Sequence, residues 1–152
     1  ITDILGSGAS SRLFQAMVKE QQLFTNIDCY HYGSTDAGLI CIDGKLAKGV
    51  SLEAAEAAVD ALLDTLKKDG ISVSELEKVK NKTESTMAFE DMSVMNRAAS
   101  LAYYELLGDA NLMNTELSKY DAVTAAEIQA ECRVIFDENN SHTLYYRAAK
   151  TK

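Results

Sequence analysis

Histidine is the residue type in this sequence that could bring a catalytic metal ion, and the chain has two of them, His31 and His142. A catalytic zinc helix pairs two histidines one turn apart with a glutamate that acts as general base. His31 and His142 are far apart in the sequence, and neither His-Glu-x-x-His nor the inverted His-x-x-Glu-His occurs. We therefore expect both histidines to be structural or exposed, and we expect no metal ligand in this chain.

Other patterns typical of catalysis are incomplete. The segment Gly6-Ser7-Gly8-Ala9-Ser10 is rich in glycine, but it lacks the Lys-Ser/Thr ending of a P-loop and the strand of a dinucleotide fingerprint. A Ser-His-Asp arrangement would need one of the two histidines, and no nucleophile-elbow motif supports it. The Gly-rich segment is therefore predicted to be a plain turn before a helix. An enzyme that acts on a small molecule through Cys29 or His31 stays open as an alternative.

The three cysteines, Cys29, Cys41 and Cys132, are widely spaced and form no Cys-x-x-Cys pair. The spacing therefore gives neither a zinc knuckle nor a redox motif. We predict buried, reduced thiols, although Cys29 and Cys41 lie in predicted strands and could face one another. The cysteines leave the cellular compartment open.

The composition limits the classes of function that this chain could have. With 152 residues, 47% of them hydrophobic, the chain can bury a real core, and we predict a single domain over residues 1–152. The net charge is −8 without a basic stripe, which argues against a nucleic-acid partner because such binding neutralises phosphates with Lys and Arg. No apolar run approaches the roughly 18 residues of a membrane helix, so we expect no membrane segment.

A helix and a hairpin are predicted in the N-terminal third. Ser10 or Ser11 can cap a helix that continues to about Gln22. Alternating apolar and polar residues over 26–32 predict a strand. Residues 37–43 predict a second, more buried strand that forms a hairpin with the first.

Three helical stretches are predicted after the hairpin. The apolar period becomes 3.6 at about Leu52, and this helix ends at Gly70. A capping box over Ser74–Glu77 opens a long helical stretch to about Leu107, with a possible kink at residues 91–93. Asn114 could cap a short helix that ends at Tyr120.

The C-terminal part is predicted to contain a helix and a strand. Thr124 and Glu127 form a second capping box, which starts a helix to about Phe136. The segment from His142 to Ala149 is predicted to be the last strand.

The element order is not the strict alternation of a doubly wound parallel sheet. It predicts an α+β fold with a small, mainly antiparallel sheet covered by helices on one face. Three strands are few for so many helices, and Ile1–Leu5 is typical of the end of a helix, so we expect a fragment that lacks strands before Ile1. The three methionines Met87, Met92 and Met95 have near-helical spacing and are expected to fill the core.

Several segments in a fixed order resemble one known family. A Gly-rich turn runs into Ser11-Arg12-Leu13-Phe14, followed by the charged stretch 18–23. Gly49-Val50-Ser51-Leu52-Glu53 opens a long amphipathic helix, and the segments 74–81 and 99–108 follow. Together these segments resemble the non-catalytic domain of insulinase-like (pitrilysin-type) zinc peptidases, the group that includes the mitochondrial processing peptidases.

The resemblance implies a role within a larger assembly. In the family that this chain resembles, two α+β halves enclose a chamber. One half carries zinc on His-x-x-Glu-His, and the other closes the chamber and helps to hold the peptide as an added strand. In many members the second half supplies an Arg and a Tyr that polarise or position the substrate carbonyl.

In this sequence the positions that best match the Arg/Tyr pair hold Lys19, or Val18 in a shifted register, and Thr25. Lys19 keeps a charge without the planar fork of Arg, and Thr25 keeps a hydroxyl on a shorter side chain. Lys19 and Thr25 are therefore candidate substrate-binding residues at a degenerate site, and no residue of this chain is expected to be catalytic.

We interpret the chain as a fragment of the second, zinc-free domain of an insulinase-like metallopeptidase that closes the chamber and docks peptide. Its partners would be the zinc-bearing domain or a paired subunit and the peptide substrate, with zinc as cofactor of the parent protein only. Alone it should be inactive. The alternative is a catalytically inactive structural or assembly subunit of the same fold.

Overall fold

A computed structural model describes residues 1–33 and 36–147 of the chain. Two β-strands and six α-helices are present among these residues, together with one π-helix and one 3-10 turn. In chain order they are α1 (Thr2–Gly6), the π-helix (Phe14–Glu20), β1 (Phe24–Tyr32), β2 (Leu39–Leu46), α2 (Leu52–Asp69), α3 (Val73–Glu90), α4 (Val94–Leu106), α5 (Leu112–Ala122), α6 (Ala125–Ile135) and the 3-10 turn (Glu138–Asn140).

The described residues divide into two compact units, one formed by residues 1–70 and 129–147, the other by Ile71–Ile128. Strands β1 and β2 of the first unit pair antiparallel, and α1 and the π-helix pack against β1. This α+β arrangement confirms the predicted fold class. No helix among the described residues is long and apolar enough to cross a membrane.

The core of the first unit collects apolar side chains from both ends of the chain. The alternation of β1 buries its apolar face against α1 and the π-helix. Cys132, from the C-terminal helix α6, is also fully buried. The buried side chains are Ile4, Leu5, Leu13, Met17, Phe24, Ile27, Cys29, Ala55, Leu66 and Cys132.

Side chains from distant segments cap the C-terminal end of α2. Gly70 ends this helix with a φ of 71°, as its position in the sequence predicts. The side chain of Arg12 donates to the Gly70 carbonyl at 3.0 Å, and Gln129 Nε2 donates to the Lys68 carbonyl at 2.8 Å. Arg133 Nε donates to the Lys67 carbonyl at 3.1 Å. These bonds satisfy carbonyls that a helix end leaves without partners, so they tie α6 to α2.

The predicted helix from Ser10 or Ser11 to Gln22 is wrong in its type. The structure places a π-helix at Phe14–Glu20, in which the Gln21 amide donates to the Ala16 carbonyl, five residues earlier, at 2.9 Å. The π-helix has no side-chain cap, and the buried Ser11 hydroxyl has no hydrogen-bond partner among the described residues. The apolar stripe is too short to reveal the wider turn of a π-helix, which differs from an α-helix by about one residue per turn.

The second unit confirms the helices of the sequence analysis but corrects the caps of α3 and α5. Ser72 accepts from the Glu75 amide at 3.2 Å and Glu75 accepts from the Ser72 amide at 2.9 Å, so the box is Ser72–Glu75 and not Ser74–Glu77. The long helical stretch is interrupted at residues 91–93, where Ser93 caps α4. Asn111, rather than Asn114, precedes α5.

The expectation that Met87, Met92 and Met95 fill the core is wrong, because Met87 is only half-buried and the other two are exposed. Met92 and Met95 are 78% and 77% exposed, and Phe89 and Val94 beside them are exposed to a similar degree. Helices α3, α4 and α5 have no buried residue. The break between α3 and α4 therefore carries an exposed apolar cluster, Phe89, Met92, Val94 and Met95.

The predicted last strand is wrong over His142–Arg147, where the chain forms no strand. Ala148 and Ala149 lie outside the described residues. The alternation from Thr143 to Arg147 is still visible in the structure, because alternate side chains contact α2. A β-strand, however, needs a hydrogen-bonded neighbour, and none of the described residues supplies one.

Candidate functional site

An open groove of about 490 Å³ lies between the Gly-rich turn and the β1–β2 hairpin. Gly6 ends α1 and lies so close to β1 that a Cβ atom at this position would be 2.1 Å from the Cys29 nitrogen. Gly8 follows with a φ of 80°, a left-handed backbone conformation that forms the turn after α1. The turn, Gly6, Ser7 and Gly8, forms one wall of the groove, and Asp28, Tyr30, His31 and Asp43 form the other.

Carboxylates dominate the charge of the groove. Its lining residues include Asp3, Asp28 and Asp43 and no Lys or Arg. Asp28 and Asp43 are cross-strand partners, an arrangement in which like charges destabilise the hairpin. The charge of Asp43 raises the pKa of Tyr30, whose hydroxyl also hydrogen bonds to that carboxylate. The groove therefore presents negative potential and one phenol, which is an environment for a positively charged side chain.

Lys19 lies on the π-helix, outside the groove. Its Nζ is 5.5 Å from the centre of the Phe14 ring, a cation–π contact within the same helix. The side chain is exposed, whereas Met17, two residues earlier, is fully buried. The wider turn of the π-helix changes the direction of every later residue relative to an α-helix, so the sequence could not predict where Lys19 points.

Thr25 occupies an irregular position of β1. The hairpin register shifts between Phe24 and Asn26, which leaves Thr25 without a cross-strand partner. Its hydroxyl instead donates to the Lys45 carbonyl at 3.0 Å. Among the residues that line the groove, neither Lys19 nor Thr25 is found. The structure thus separates the two sequence-derived candidates from the groove.

Sequence reasoning missed the carboxylates of the groove. Asp28 and Asp43 each lie in a predicted strand or at its end, and their alternation with apolar neighbours placed them on a polar face. Whether the two aspartates pair depends on the hairpin register. The register could not be predicted, because the length of the loop between the strands was uncertain. The signal for this site was one aspartate in each strand of the predicted hairpin.

The described residues do not form a metal site. No group of three or more His, Cys, Asp or Glu side chains over residues 1–33 and 36–147 could hold a metal ion. His31 lies against Gly33 and Gly38 at the end of the hairpin, and His142 is exposed in the C-terminal segment. The residues present therefore do not suit a catalytic zinc ion.

The cysteines differ from one another in environment. Burial raises the pKa of the Cys29 thiol to about 12 and also raises the pKa of Cys132. Cys41 is only partly buried. Cys29 pairs with Ile42 and Cys41 with Tyr30 in the hairpin, so the two thiols lie on opposite faces and the expectation that they could face one another is wrong. A thiol with the pKa of Cys29 is not a nucleophile at neutral pH.

A model of the peptidase M16 inactive domain matches residues 1–83. This match covers more than half of the chain, so the chain belongs to the peptidase M16 inactive-domain family. The resemblance to insulinase-like peptidases is thereby confirmed at the level of the family.

A curated relative and several solved structures are similar to most of the chain. The "Uncharacterized zinc protease YmxG" of Bacillus subtilis (strain 168) is 26% identical over 140 residues, which are 91% of this chain and 34% of that protein. The chain therefore spans about a third of the length of this relative.

Three solved structures share the fold at low sequence identity. The inactive peptidase domain of a "Putative Zinc Protease" from Bordetella parapertussis has a TM-score of 0.80 at 20% identity, covering 91% of this chain and 75% of that one. A second such protease, from Bordetella pertussis Tohama I, has a TM-score of 0.75 at 21% identity over 88% of this chain and 73% of that one. A protease from Helicobacter pylori has a TM-score of 0.77 at 22% identity over 88% of this chain and 32% of that one.

Proposed function

We propose that this chain is part of the second, zinc-free domain of a longer zinc metallopeptidase, where it closes a chamber and docks peptide. Membership of the M16 inactive-domain family supports this role. Zinc in the partner domain would activate the attacking water, whereas the residues described here would bind and orient the peptide. Both compact units are proposed to belong to that one domain.

The acidic groove is the observation that carries the docking part of the proposal. It is open, lies beside the hairpin, and combines a glycine-containing turn with carboxylates. The turn backbone can approach a peptide closely at Gly8, where a Cβ atom would meet open space. The unfavourable Asp28–Asp43 pair would be stabilised by a cation placed between the strands. We therefore propose that the docked peptides carry Lys or Arg.

Binding of a labelled peptide to the parent protein tests this proposal. A chelator removes the zinc so that the peptide is not cut, and the probe is a fluorescein-labelled decapeptide with Lys at alternate positions. Asp28→Asn and Asp43→Asn should each raise its Kd about three- to tenfold, because each removes one charge from a partly screened site. Glu84→Gln, on exposed α3, is the matched control and should leave the Kd unchanged.

A peptide of the same length with Glu in place of Lys should bind more weakly than the Lys peptide. Equal Kd values for the two peptides, or equal effects of Asp43→Asn and Glu84→Gln, would reject the acidic groove as the docking site. High salt should weaken the Lys peptide preferentially, since exposed charges are screened within about 8–10 Å.

Lys19 and Thr25 are proposed as weak peptide contacts. The Thr25 hydroxyl proton is already engaged by Lys45, and the Lys19 side chain rests on Phe14. Lys19→Ala and Thr25→Ala in the parent should change kcat/KM by less than about tenfold, because loss of a real oxyanion donor costs about 10²–10³ in kcat. A loss of that larger size would assign direct catalytic assistance to these residues.

The second candidate function is a catalytically inactive assembly subunit of the same fold. The replacement of the Arg/Tyr pair by Lys19 and Thr25 favours it, since an inactive relative would not need those donors. An intact His-x-x-Glu-His in the parent sequence together with chelator-sensitive cleavage would reject this candidate. A broken motif in a zinc-free parent would favour it.

A further inference from the structure

The two faces of the β1–β2 hairpin differ in character. On one face Ile27 and Cys29 are buried, where α1 and the π-helix pack against β1. Successive side chains of a strand point to opposite faces, so the alternate residues form the other face. We call that surface the outer face of the hairpin. Three cross-strand pairs occupy it, Asp28 with Asp43, Tyr30 with Cys41, and Tyr32 with Leu39.

The outer face changes from charged to apolar along its length. The Asp28–Asp43 pair at one end belongs to the acidic groove. Tyr32 and Leu39 at the other end are 72% and 66% exposed. Tyr30 lies between these pairs, and its hydroxyl hydrogen bonds to Asp43. The face therefore offers carboxylates at one end and an exposed ring with an aliphatic side chain at the other.

Both ends of the outer face suit the side chains of one peptide. Carboxylates attract the charged group of Lys or Arg, and the face of a tyrosine ring favours the same cation. Tyrosine also supplies a large contact area with few rotamers to restrict, which is why it is common among the residues that dominate binding. Charge complementarity therefore favours a basic peptide, and the exposed Tyr32–Leu39 pair favours an apolar side chain on that same peptide.

The distance between the two ends is set by the strand. Asp28 and Tyr32 are four residues apart on β1, which is about 14 Å at roughly 3.4 Å per residue. An extended peptide rises by a similar amount per residue, so its residues i and i+4 point to one side and are equally far apart. A spacing of three residues instead directs the two side chains to opposite sides of the peptide.

We propose that the outer face selects extended peptides in which a Lys or Arg and an apolar residue lie four positions apart. The inference rests on the proposed function, because the acidic groove holds the basic residue. Tyr32 and Leu39 are the specificity-determining residues for the apolar position. Contacts between side chains do not fix the direction of the peptide, so the apolar residue can precede or follow the basic one.

Four fluorescein-labelled decapeptides test the spacing in the chelator-treated parent protein. Each carries one Lys and one Leu in a background of Ser, either four or three positions apart, in both orders. The tighter-binding order with a spacing of four should have a Kd about fivefold below both peptides with a spacing of three, which is the size of one modest interface contact. Equal Kd values for all four peptides would overturn the proposal.

Variants at the apolar end test which residues distinguish the peptides. Tyr32→Thr and Leu39→Thr keep a β-branched residue that suits a strand, and each should remove the preference for a spacing of four. Tyr32→Phe keeps the ring and is the matched control, which should retain the preference. Both positions are exposed, so the fold should tolerate these substitutions. An unchanged preference in both threonine variants would contradict the assignment of the apolar position.

Cys41 provides a footprint of the docked peptide, because it lies on the outer face between the two ends. The peptide with a spacing of four, at about ten times its Kd, should slow the alkylation of Cys41 by iodoacetamide about tenfold, in proportion to the free protein that remains. Mass spectrometry measures the rate at this residue. An unchanged rate would place the peptide elsewhere on the protein and would reject the proposal.

Asp43→Asn separates the failure of this inference from the failure of the proposed function. If Asp43→Asn weakens the binding of all four peptides but their spacing has no effect, docking in the acidic groove stands and the spacing rule is wrong. If neither Asp43→Asn nor the spacing changes any Kd, the acidic groove is not the docking site and both are wrong.

Discussion

The missing side chain of Gly6 sets how closely α1 approaches β1. The Cβ of any other residue would meet the Cys29 backbone at 2.1 to 2.7 Å, a contact that backbone movement alone could relieve. The sequence predicted a turn at Gly6 and Gly8 because glycine interrupts helices, but it could not predict the close contact, which involves a residue more than 20 positions away.

Gly6→Ala and Gly8→Ala should therefore differ in cost. Gly6→Ala overpacks a buried helix–strand contact, for which we expect a loss of about 3 kcal/mol or more in the free energy of unfolding. Gly8→Ala meets open space, and its positive φ should cost only about 1 kcal/mol. Urea denaturation of both variants measures the difference. Equal losses would show that the α1–β1 contact is not as close as described.

Cysteine reactivity provides a second prediction for single residues. At pH 8 a thiol with a pKa of about 12 is ionised to roughly one part in ten thousand, and Cys29 and Cys132 are also buried. Iodoacetamide should therefore add one group to the native chain, at Cys41, and three groups in guanidinium. Cys41→Ser is the control and should take none while native. Rapid labelling of native Cys29 would contradict its burial.

At the scale of elements, local signals that depend on neighbouring residues were predicted well. Thr124 and Glu127 form the expected capping box, with the Glu127 amide donating to Thr124 Oγ1 at 3.2 Å. Gly70 ends α2 where its sequence position indicates. Both signals are local, so no tertiary contact needed to be known.

Elements that depend on distant contacts were predicted less well. The π-helix needs an additional residue in one turn, which the apolar stripe from Leu13 to Val18 does not reveal. The segment from His142 has the alternation of a strand without a paired neighbour in the described chain. Ser72 was missed as a cap because Ser74–Glu77 matches the same three-residue spacing.

Two serines at the start of α3, Ser72 at the cap and Ser74 in the first turn, test the corrected cap. Ser72→Ala should lower the free energy of unfolding by about 1 kcal/mol, because it removes the acceptor for the Glu75 amide. Ser74→Ala removes only an exposed hydroxyl that contacts Ser72 and should stay within about 0.5 kcal/mol. Thermal unfolding followed by circular dichroism gives both values. A larger loss for Ser74→Ala would restore the Ser74–Glu77 assignment.

At the scale of the whole molecule, the family was predictable because several short motifs occur in one order, and such order survives at low identity. The candidate groove was not predictable from the sequence, because its walls depend on both the hairpin register and the position of α1. Lys19 and Thr25 were matched by sequence position alone, and their surroundings in the structure are a helix face and a bulge.

Zinc content provides a prediction for the whole chain. After dialysis the chain should hold far less than one zinc ion per molecule, since its described residues bring no set of ligands together. Inductively coupled plasma mass spectrometry measures the metal, and an unrelated acidic protein of similar charge is the control. Tight, stoichiometric zinc in the chain alone would contradict the assignment of the metal to another domain.

The exposed cluster at the break between α3 and α4 should be the first part of the purified chain to oxidise during storage. Thioether sulfur in solvent is oxidised to the sulfoxide far more readily than sulfur in a packed core. Met92 and Met95 should therefore gain oxygen first in dilute peroxide, while the fully buried Met17 stays intact. Each sulfoxide makes the helix break more polar, so an aged sample would differ from a fresh one first at this surface.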